Sequence, residues 1–406
     1  MSEKTYLVVG AGKSGVCACE LLWKTNQNYI LYDGKETLDI DALRQAYEWL
    51  RDTEIVVGDF LDSLYERTDI CVLSPGVPVE LPFVEALRNR GVEIWGEVEL
   101  AYRMGQGRIA AITGTNGKTT TTSLVGKILG LAFPDVKVVG NIGIPYTSVA
   151  KETSEDTVIV AEISSFQLET AIQFHPFVSA ILNITPDHLD RHHTMENYIR
   201  IKESITKNQT SAEVCVLNFD DPALRAFGET LDCRVVYFSS KETPEGGVYV
   251  RDKAIWHAGE KVIDTGELQI LGVHNYENAS AAVAICLAFE VPMETIRKGL
   301  REFEAVEHRI QFVCEKEGVV FYNDSKGTNP DAAIKAVEAM ERPTVLIGGG
   351  YDKNAAYDEW VACFGDKVKK LVLIGETADK IADCCKAHGF SAVERAEDLK
   401  DAVLRS

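Results

Sequence analysis

The chain has 406 residues, 46% of them hydrophobic and 26% charged, which is the composition of an ordinary globular protein. This length exceeds what one hydrophobic core supports, so we expect two or three domains. The 62 acidic residues outnumber the 42 basic ones and give a formal net charge of -20. Such a surface repels nucleic acid and anionic lipid, so we expect neither as a partner, and any bound phosphate must meet a local basic site.

The ten cysteines show no metal-ligand spacing, and scattered free thiols suit a reducing compartment. No charged and then apolar leader opens the chain, and no apolar run is long enough to span a bilayer. The sequence therefore predicts a cytoplasmic protein.

The first motif is a glycine-rich turn at residues 10–15, which follows a predicted buried strand at residues 5–9 and opens a helix. A second strand ends at Asp33, close to the spacing of a ribose-binding acid. Taken alone, G-x-G-x-x-G in this context indicates a dinucleotide, and one hypothesis is a nicotinamide-dependent oxidoreductase. Strictly, the pattern reports a diphosphate on a helix N-terminus with a diol beside it.

A second motif joins a predicted strand at residues 109–112 to a helix at residues 119–131 through Gly117-Lys118-Thr119. Backbone N–H groups of such a turn can hold phosphates, Lys118 can reach the outer ones, and the Thr119 hydroxyl can bind magnesium. The general pattern G-x-x-x-x-G-K-[ST] requires glycine where Ile112 stands, so only its second half fits. An ordinary strand-to-helix turn is the alternative.

Polar side chains follow two further predicted strands. Glu162 ends the strand at residues 157–161, and Asp187 and His188 follow the strand at residues 178–184. In parallel sheets ligands collect at the carboxyl ends of the strands, so these side chains and the Gly117 turn predict a magnesium-nucleotide site. The alternatives are a helix N-cap role for Glu162 and a core position for His188.

Lys202 lies on the apolar stripe of a predicted helix at residues 196–205, with Tyr198, Ile201 and Ile205. Such a lysine usually extends to water. The alternative is a desolvated, neutral amine, which can react with carbon dioxide and so become a carbamate ligand for magnesium.

Strand-rich residues 214–272 predict a sheet edge with a small antiparallel flap. Asn278 lies near the start of the following helix, as a cap or as a nucleotide contact. In the last part, strands at residues 319–322, 344–347 and 370–374 alternate with helices, which predicts parallel pairing.

Four motifs together resemble the Mur ligases of peptidoglycan synthesis. The turn G-T-N-G-K-T matches the shorter form G-[TS]-N-G-K-[ST] of that family, which removes the difficulty at Ile112. The others are E-I-S-S-F-Q-L at residues 162–168, N-I-T-P-D-H-L-D-R at 183–191 and N-D-S-K-G-T-N at 323–329. The resemblance implies an α/β protein with a Rossmann-like N-terminal domain (1–97), a central P-loop ATPase-like parallel-sheet domain (98–306) and a Rossmann-like C-terminal domain (307–406).

The resemblance further implies an ATP-dependent amide ligase, ADP-forming, that adds D-glutamate to UDP-N-acetylmuramoyl-L-alanine through an acyl phosphate. It implies a monomer with ATP, two magnesium ions and a carbamate on Lys202. A non-catalytic nucleotide-binding protein remains an alternative, beside the oxidoreductase.

The family's functional positions map onto this chain in three groups. The implied ATP-binding residues are Thr115, Asn116, Gly117, Lys118, Thr119, Thr120, Asn278, Arg309, Asp324 and Lys326. The implied substrate-binding residues are Lys13, Ser14, Asp33, Lys35, Ser74, Gly76, Asn141, His188, Thr328 and Lys353. The implied metal ligands are Thr119, Glu162, His188 and Lys202, and the catalytic residues are Lys118, Glu162, His188 and Lys202.

One departure from the family concerns its closing strand, of the type L-S-P-A-x-x-S, and an aromatic residue after it that grips D-glutamate. Neither follows in this sequence, which ends at Ser406. The expectation from this departure is a truncated C-terminal domain that keeps nucleotide binding and loses most ligase activity.

Overall fold

The computed structural model describes residues 4–304, 306–352 and 355–406. The chain divides into two compact units, the first formed by residues 1–264 and 278–301 and the second by residues 265–277 and 302–406. Each unit is described by itself.

The first sheet of the first unit has five parallel strands in the order β3-β2-β1-β4-β5. Its central strands are apolar on both faces, as expected of a parallel sheet covered by helices. The elements are β1 Thr5–Val9, α1 Lys13–Lys24, β2 Asn28–Asp33, α2 Ile40–Ala46, β3 Glu54–Val57, α3 Asp62–Arg67, β4 Ile70–Leu73, α4 Pro82–Asn89, β5 Glu93–Gly96 and α5 Glu97–Met104.

The second sheet has nine strands in the order β14-β13-β12-β11-β10-β9-β6-β8-β7. The strands from β7 to β12 pair in parallel, and β13 and β14 add the predicted antiparallel flap. The elements are β6 Arg108–Thr113, α6 Lys118–Ala132, β7 Val136–Gly140, β8 Val158–Glu162, α7 Ser165–Leu168, β9 Val178–Ile181, α8 Leu189–His192, α9 Met195–Glu203, β10 Val214–Asn218, α10 Pro222–Gly228, β11 Arg234–Ser239, β12 Val248–Arg251, β13 Ala254–His257, β14 Glu260–Asp264, α11 Val273–Ala288 and α12 Met293–Arg301.

Helix α6 connects the Gly117-Lys118-Thr119 turn to this core. Its predicted apolar stripe is buried, including Leu124, Val125 and Ile128. A Cβ atom at Gly299 of α12 would lie 2.5 Å from the Ile128 side chain, so glycine permits the close approach of the two helices.

The second unit contains a two-stranded hairpin and a three-stranded parallel sheet in the order β17-β18-β19. Its core gathers around Trp360, Phe364 and Leu371. The elements are β15 Gln311–Lys316, β16 Val319–Asn323, α13 Pro330–Ala339, β17 Thr344–Gly349, α14 Asp358–Ala362, β18 Val368–Ile374, α15 Ala378–Ala387, β19 Val393–Arg395 and α16 Leu399–Arg405.

The predicted parallel pairing is confirmed for β17 and β18 and is wrong for β16. Strand β16 pairs antiparallel with β15, with Lys316 opposite Val319. The two residues between them, Glu317 and Gly318, have φ angles of 53° and 80°. Positive φ at both positions of a two-residue loop is the conformation that joins a tight hairpin, so the local turn decides the pairing.

Among the described residues, no helix combines the length and the apolar character needed to cross a membrane.

Candidate functional site

The loop between β6 and α6, residues 114–117, is a glycine-containing turn that we call the cradle. Gly114 and Gly117 have φ angles of 149° and 82°, which residues other than glycine rarely adopt. A Cβ atom at Gly117 would lie 2.2 Å from the Asn278 side-chain oxygen. Asn278 is buried inside α11, which begins at Val273, so the interpretation of Asn278 as a helix cap is wrong.

The loop is held in shape by Asn183, which follows β9. The Asn116 N–H donates to Asn183 Oδ1 at 2.8 Å, and Asn183 Nδ2 donates back to the Asn116 carbonyl at 3.1 Å. The Thr115 hydroxyl donates to the carbonyl of Thr185 at 3.0 Å. The N-I-T-P-D-H-L-D-R motif therefore supports the cradle, a role for Asn183 that sequence reasoning missed.

Lys118 is the first residue of α6, and its side chain folds back over the loop. Its Nζ atom donates to the carbonyls of Gly114 and Thr115, each at 2.8 Å. The ammonium group is therefore at the cradle, where an anion would meet it.

Glu162 joins three elements at the carboxyl edge of the central sheet. Its side chain is 1% exposed, Oε2 accepts a hydrogen bond from Thr119 Oγ1 at 2.9 Å, and Oε1 accepts one from Asn141 Nδ2 at 2.8 Å. The N-cap of the following helix α7 is Ser164, so the N-cap alternative for Glu162 is wrong. Three predicted site residues from three segments thus form one hydrogen-bonded group.

Lys202 is buried and does not extend to water. It is 1% exposed, its Nζ donates to the Gly114 carbonyl at 2.8 Å, and it lies 4.7 Å from the Tyr198 ring centroid. Burial, and then the charge of Lys118, hold the pKa of Lys202 well below its usual value. Burial therefore disfavours the charged form of this amine relative to that of an exposed lysine.

His188 is partly exposed, so the interpretation as a core histidine is wrong. Its side chain is 44% exposed, and its ring packs edge-on against Phe166 at a centroid distance of 4.9 Å. Within the described part of the chain, no hydrogen bond or ion pair joins His188 to Glu162. The buried histidine is His192, whose Nε2 lies 2.9 Å from Ser165 Oγ and whose pKa burial lowers to about 4.

A cavity of about 440 Å³ extends from the N-terminus of α1 to the loop after β7. Lys13 on its wall donates to the carbonyl of Gly143 at 3.1 Å, which joins the first sheet's glycine loop to the second sheet. Five predicted substrate residues line the cavity: Lys13, Ser14, Ser74, Gly76 and Asn141. The cavity is therefore lined by Asn141, whose side-chain amide also donates a hydrogen bond to the Glu162 carboxylate.

Asp33 and Lys35 lie outside the lining of this cavity. The Asp33 carboxylate accepts hydrogen bonds from the backbone N–H groups of Ala11 and Lys35 at 2.8 and 2.9 Å. Asp33 thus stabilises the glycine loop.

Glu97 and Gln167 are site residues that the sequence did not single out. Glu97 is 3% exposed at the start of α5, and its Oε1 accepts a hydrogen bond from Gln167 Nε2 at 2.7 Å. Burial raises the pKa of Glu97, and the hydrogen bond from Gln167 opposes this. Both residues line the cavity. The motif at residues 162–168 contained the only signal, since Gln167 belongs to it.

Four more predicted residues, Arg309, Asp324, Lys326 and Thr328, lie in the second unit. Asp324 accepts a hydrogen bond from the Ile310 N–H at 3.1 Å, and burial raises its pKa. Their approach to a nucleotide stays a prediction. Lys353 lies outside the described residues.

The parallel sheet, the glycine cradle with its lysine and the buried carboxylate beside it define an α/β nucleotide-binding enzyme. Family models narrow this class. Residues 4–96 match the Mur ligase MurD-like N-terminal domain, residues 112–286 the Mur ligase middle domain and residues 308–406 the glutamate ligase domain of Mur ligases. The chain belongs to the Mur ligase family.

Two relatives and one solved structure illustrate the match. The chain is 51% identical to a UDP-N-acetylmuramoylalanine--D-glutamate ligase from Lachnospira eligens, over 99% of this chain and 90% of that protein. It is 50% identical to the protein of the same name from Lachnoclostridium phytofermentans, over 98% and 89%. MurF from Acinetobacter baumannii shares the fold, with 18% identity and a TM-score of 0.64 over 98% of this chain and 86% of that one.

Family membership decides between the enzyme classes that the sequence left open. The glycine-rich turn at residues 10–15 lies inside the matched MurD-like N-terminal domain. The chain is a ligase, and the oxidoreductase interpretation is wrong.

Proposed function

We propose that this protein joins D-glutamate to the alanyl carboxyl group of UDP-N-acetylmuramoyl-L-alanine and converts ATP to ADP and phosphate. The observation that carries the proposal is the buried Glu162 carboxylate, which accepts hydrogen bonds from Thr119 and Asn141. It connects the phosphate cradle to the cavity at the first sheet. Relatives at about half identity carry the name of this activity.

The reaction requires activation, because a carboxylate is a poor acyl donor to an amine. Transfer of the γ-phosphoryl group of ATP to the alanyl carboxylate oxygen gives an acyl phosphate. The amine of D-glutamate attacks the acyl carbon, the C–O bond to phosphate breaks, and an amide forms. Lys118 and the cradle N–H groups hold the phosphates and offset their charge, as at other phosphoryl-transfer sites.

Magnesium fits the residues at the cradle, since the Thr119 hydroxyl and the Glu162 carboxylate are the oxygen ligands it prefers. When bound, magnesium offsets negative charge on the transferring phosphoryl group. We assign two such ions, with His188 and Lys202 completing the protein ligands.

Lys202 becomes an oxygen ligand in this proposal by reacting with carbon dioxide. Its buried amine bonds to the Gly114 carbonyl, as does Lys118. A carbamate at Nζ would replace a cation by an anion and so pair with the Lys118 ammonium.

The substrate residues divide by place. Lys13 and Ser14 lie at the N-terminus of α1, where a diphosphate is stabilised, and Asn141 positions the acyl end. Asp33 and Lys35 are assigned to the uracil side. We assign Ser74 and Gly76 to the diphosphate. The residues assigned to ATP are Asn278, Arg309, Asp324 and Lys326. Those assigned to D-glutamate are Thr328 and Lys353.

We place the domain boundaries at residues 97/98 and 306/307, and the protein in the cytoplasm as a monomer.

Phosphate release from ATP tests the proposal. We expect release to require both UDP-N-acetylmuramoyl-L-alanine and D-glutamate, to be absent with L-glutamate or D-aspartate, and to be lost in Lys118→Ala. Phosphate release that does not depend on the nucleotide sugar, or that is faster with another amino acid, would overturn the proposal. Nucleotide binding without turnover would also contradict it.

A further inference from the structure

Three side chains of different chemistry meet on the surface of the second unit. Asp358 is the first residue of α14, Cys384 lies on α15, and His388 follows directly after α15. One ligand atom from each lies within 4.8 Å of the others. The Nε2 atom of His388 is 3.2 Å from Asp358 Oδ1.

We propose that Asp358, Cys384 and His388 form a site for a thiophilic divalent cation of the zinc type. Zinc binds nitrogen and oxygen at about 2.0–2.1 Å and prefers a tetrahedron, in which two such ligand atoms are about 3.3 Å apart. The separation of His388 Nε2 and Asp358 Oδ1 is 3.2 Å, which fits this geometry. The Cys384 Sγ atom lies within 4.8 Å of both ligand atoms, and water can supply the fourth ligand.

The backbone presents these residues on rigid elements. Cys384 and His388 are one helical turn apart, and the His388 N–H donates to the Cys384 carbonyl at 3.1 Å. Beneath them, α14 and α15 share a core with Trp360 and Phe364. A bound cation would therefore clamp α14 to α15 and stabilise the second unit.

The donor set separates this site from the magnesium site. Thiolate and imidazole are soft or borderline ligands, which favour zinc and cobalt over magnesium. An incoming cation must displace the thiol proton of Cys384 into solvent, because the thiolate is the ligand form. The neighbouring Cys385 is 0% exposed and packs in the core, which leaves Cys384 as the sulfur ligand.

Titration of the full chain with cobalt(II), under saturating magnesium, tests the proposal. We expect one equivalent to produce a thiolate-to-cobalt absorption band and to raise the melting temperature. Cys384→Ser should remove the band, and His388→Ala and Asp358→Asn should each weaken binding by about tenfold or more. Cys314→Ser changes an exposed thiol of the same unit and is the matched control, with the band intact.

The result that would overturn the proposal is the absence of a thiolate band, or a band that Cys384→Ser leaves unchanged. Asp358 and His388 lie at the surface. The cobalt affinities of their variants can therefore be measured even if replacement of Cys384 disturbs folding. Unchanged cobalt affinity in both of these folded variants would also overturn it.

Discussion

Lys118 and Lys202 both donate hydrogen bonds to the carbonyl oxygen of Gly114, each at 2.8 Å. Two ammonium groups at one acceptor repel each other, and burial of Lys202 adds a desolvation cost for its charged form. A neutral or an anionic Lys202 removes both the repulsion and the desolvation cost of the ammonium group. This residue is therefore the sharpest test of the metal site.

Lys202→Ala should lower kcat by about a hundredfold or more, because it removes the proposed carbamate ligand. Added bicarbonate should not recover the activity, and steady-state ADP formation measures both effects. The control is Lys207→Ala, since Lys207 is another partly buried amine bonded to a backbone carbonyl, that of Ala171. Near-normal turnover in Lys202→Ala would count against the carbamate.

His192 should make the stability of the first unit depend on pH. Burial, and then the charges of His188 and Arg191, lower its pKa to about 4 in the folded protein, against about 6.5 when unfolded. Between these values the unfolded chain binds more protons, so this contribution is fully present above pH 6.5 and is lost as pH falls towards 4.

Urea unfolding between pH 4 and pH 7 measures this dependence. His192→Gln should flatten it relative to the parent protein, whereas replacement of the exposed His193 by Gln should not. Equal pH dependence in the parent and in His192→Gln would show that His192 is not held neutral by folding.

For single residues, the helical periodicity of the sequence predicted Lys202 on a buried stripe, because it places Lys202 on the same face as Tyr198. The sequence pattern could not predict that Glu97 and His192 are buried polar residues. Glu97 is hydrogen-bonded to Gln167, and His192 to Ser165, both of which are distant in the sequence. Neither partner is visible from local spacing.

At the scale of elements, Glu99 anchors α5 to the segment before β9. Its carboxylate is 0% exposed and accepts hydrogen bonds from the backbone N–H groups of residues 172–174 and from Arg103. Helix α5 follows the first sheet and leads to the second, so this contact ties the two sheets of the first unit together.

Glu99→Ala should lower the free energy of unfolding by about 3–5 kcal/mol, since it leaves the backbone N–H groups of residues 172–174 without their acceptor. The matched control is Glu93→Ala, which removes an exposed carboxylate 3.6 Å from the same Arg103 and should cost about 1 kcal/mol or less. Chemical denaturation of both variants measures the difference. Equal losses would contradict the anchoring role.

The sequence predicted most strands because buried parallel strands appear as short apolar runs. It missed β15, whose residues after Gln311 are exposed and show no such run. The hairpin instead depends on the backbone of Glu317 and Gly318. Local turn conformation therefore limited the prediction at this scale.

At the scale of the whole molecule, the site follows from sheet order. Strands β6, β8 and β7 are neighbours, with Ile112 opposite Glu162 and Glu162 opposite Gly140. The sequence could predict that the carboxyl ends gather the polar residues, because parallel strands share an edge. It could not predict strand order or register, which place Asn141 and Thr119 on one carboxylate.

The central claim is that the carboxyl edge of the nine-stranded sheet binds ATP with magnesium. A crystal structure with a non-hydrolysable ATP analogue and magnesium tests it most directly. We expect the β- and γ-phosphates on the N–H groups around Gly117, with Lys118 turned towards them and a metal ion on Thr119 and Glu162. The triphosphate bound instead at the glycine loop of residues 10–15, or away from Lys118 and Glu162, would contradict the account.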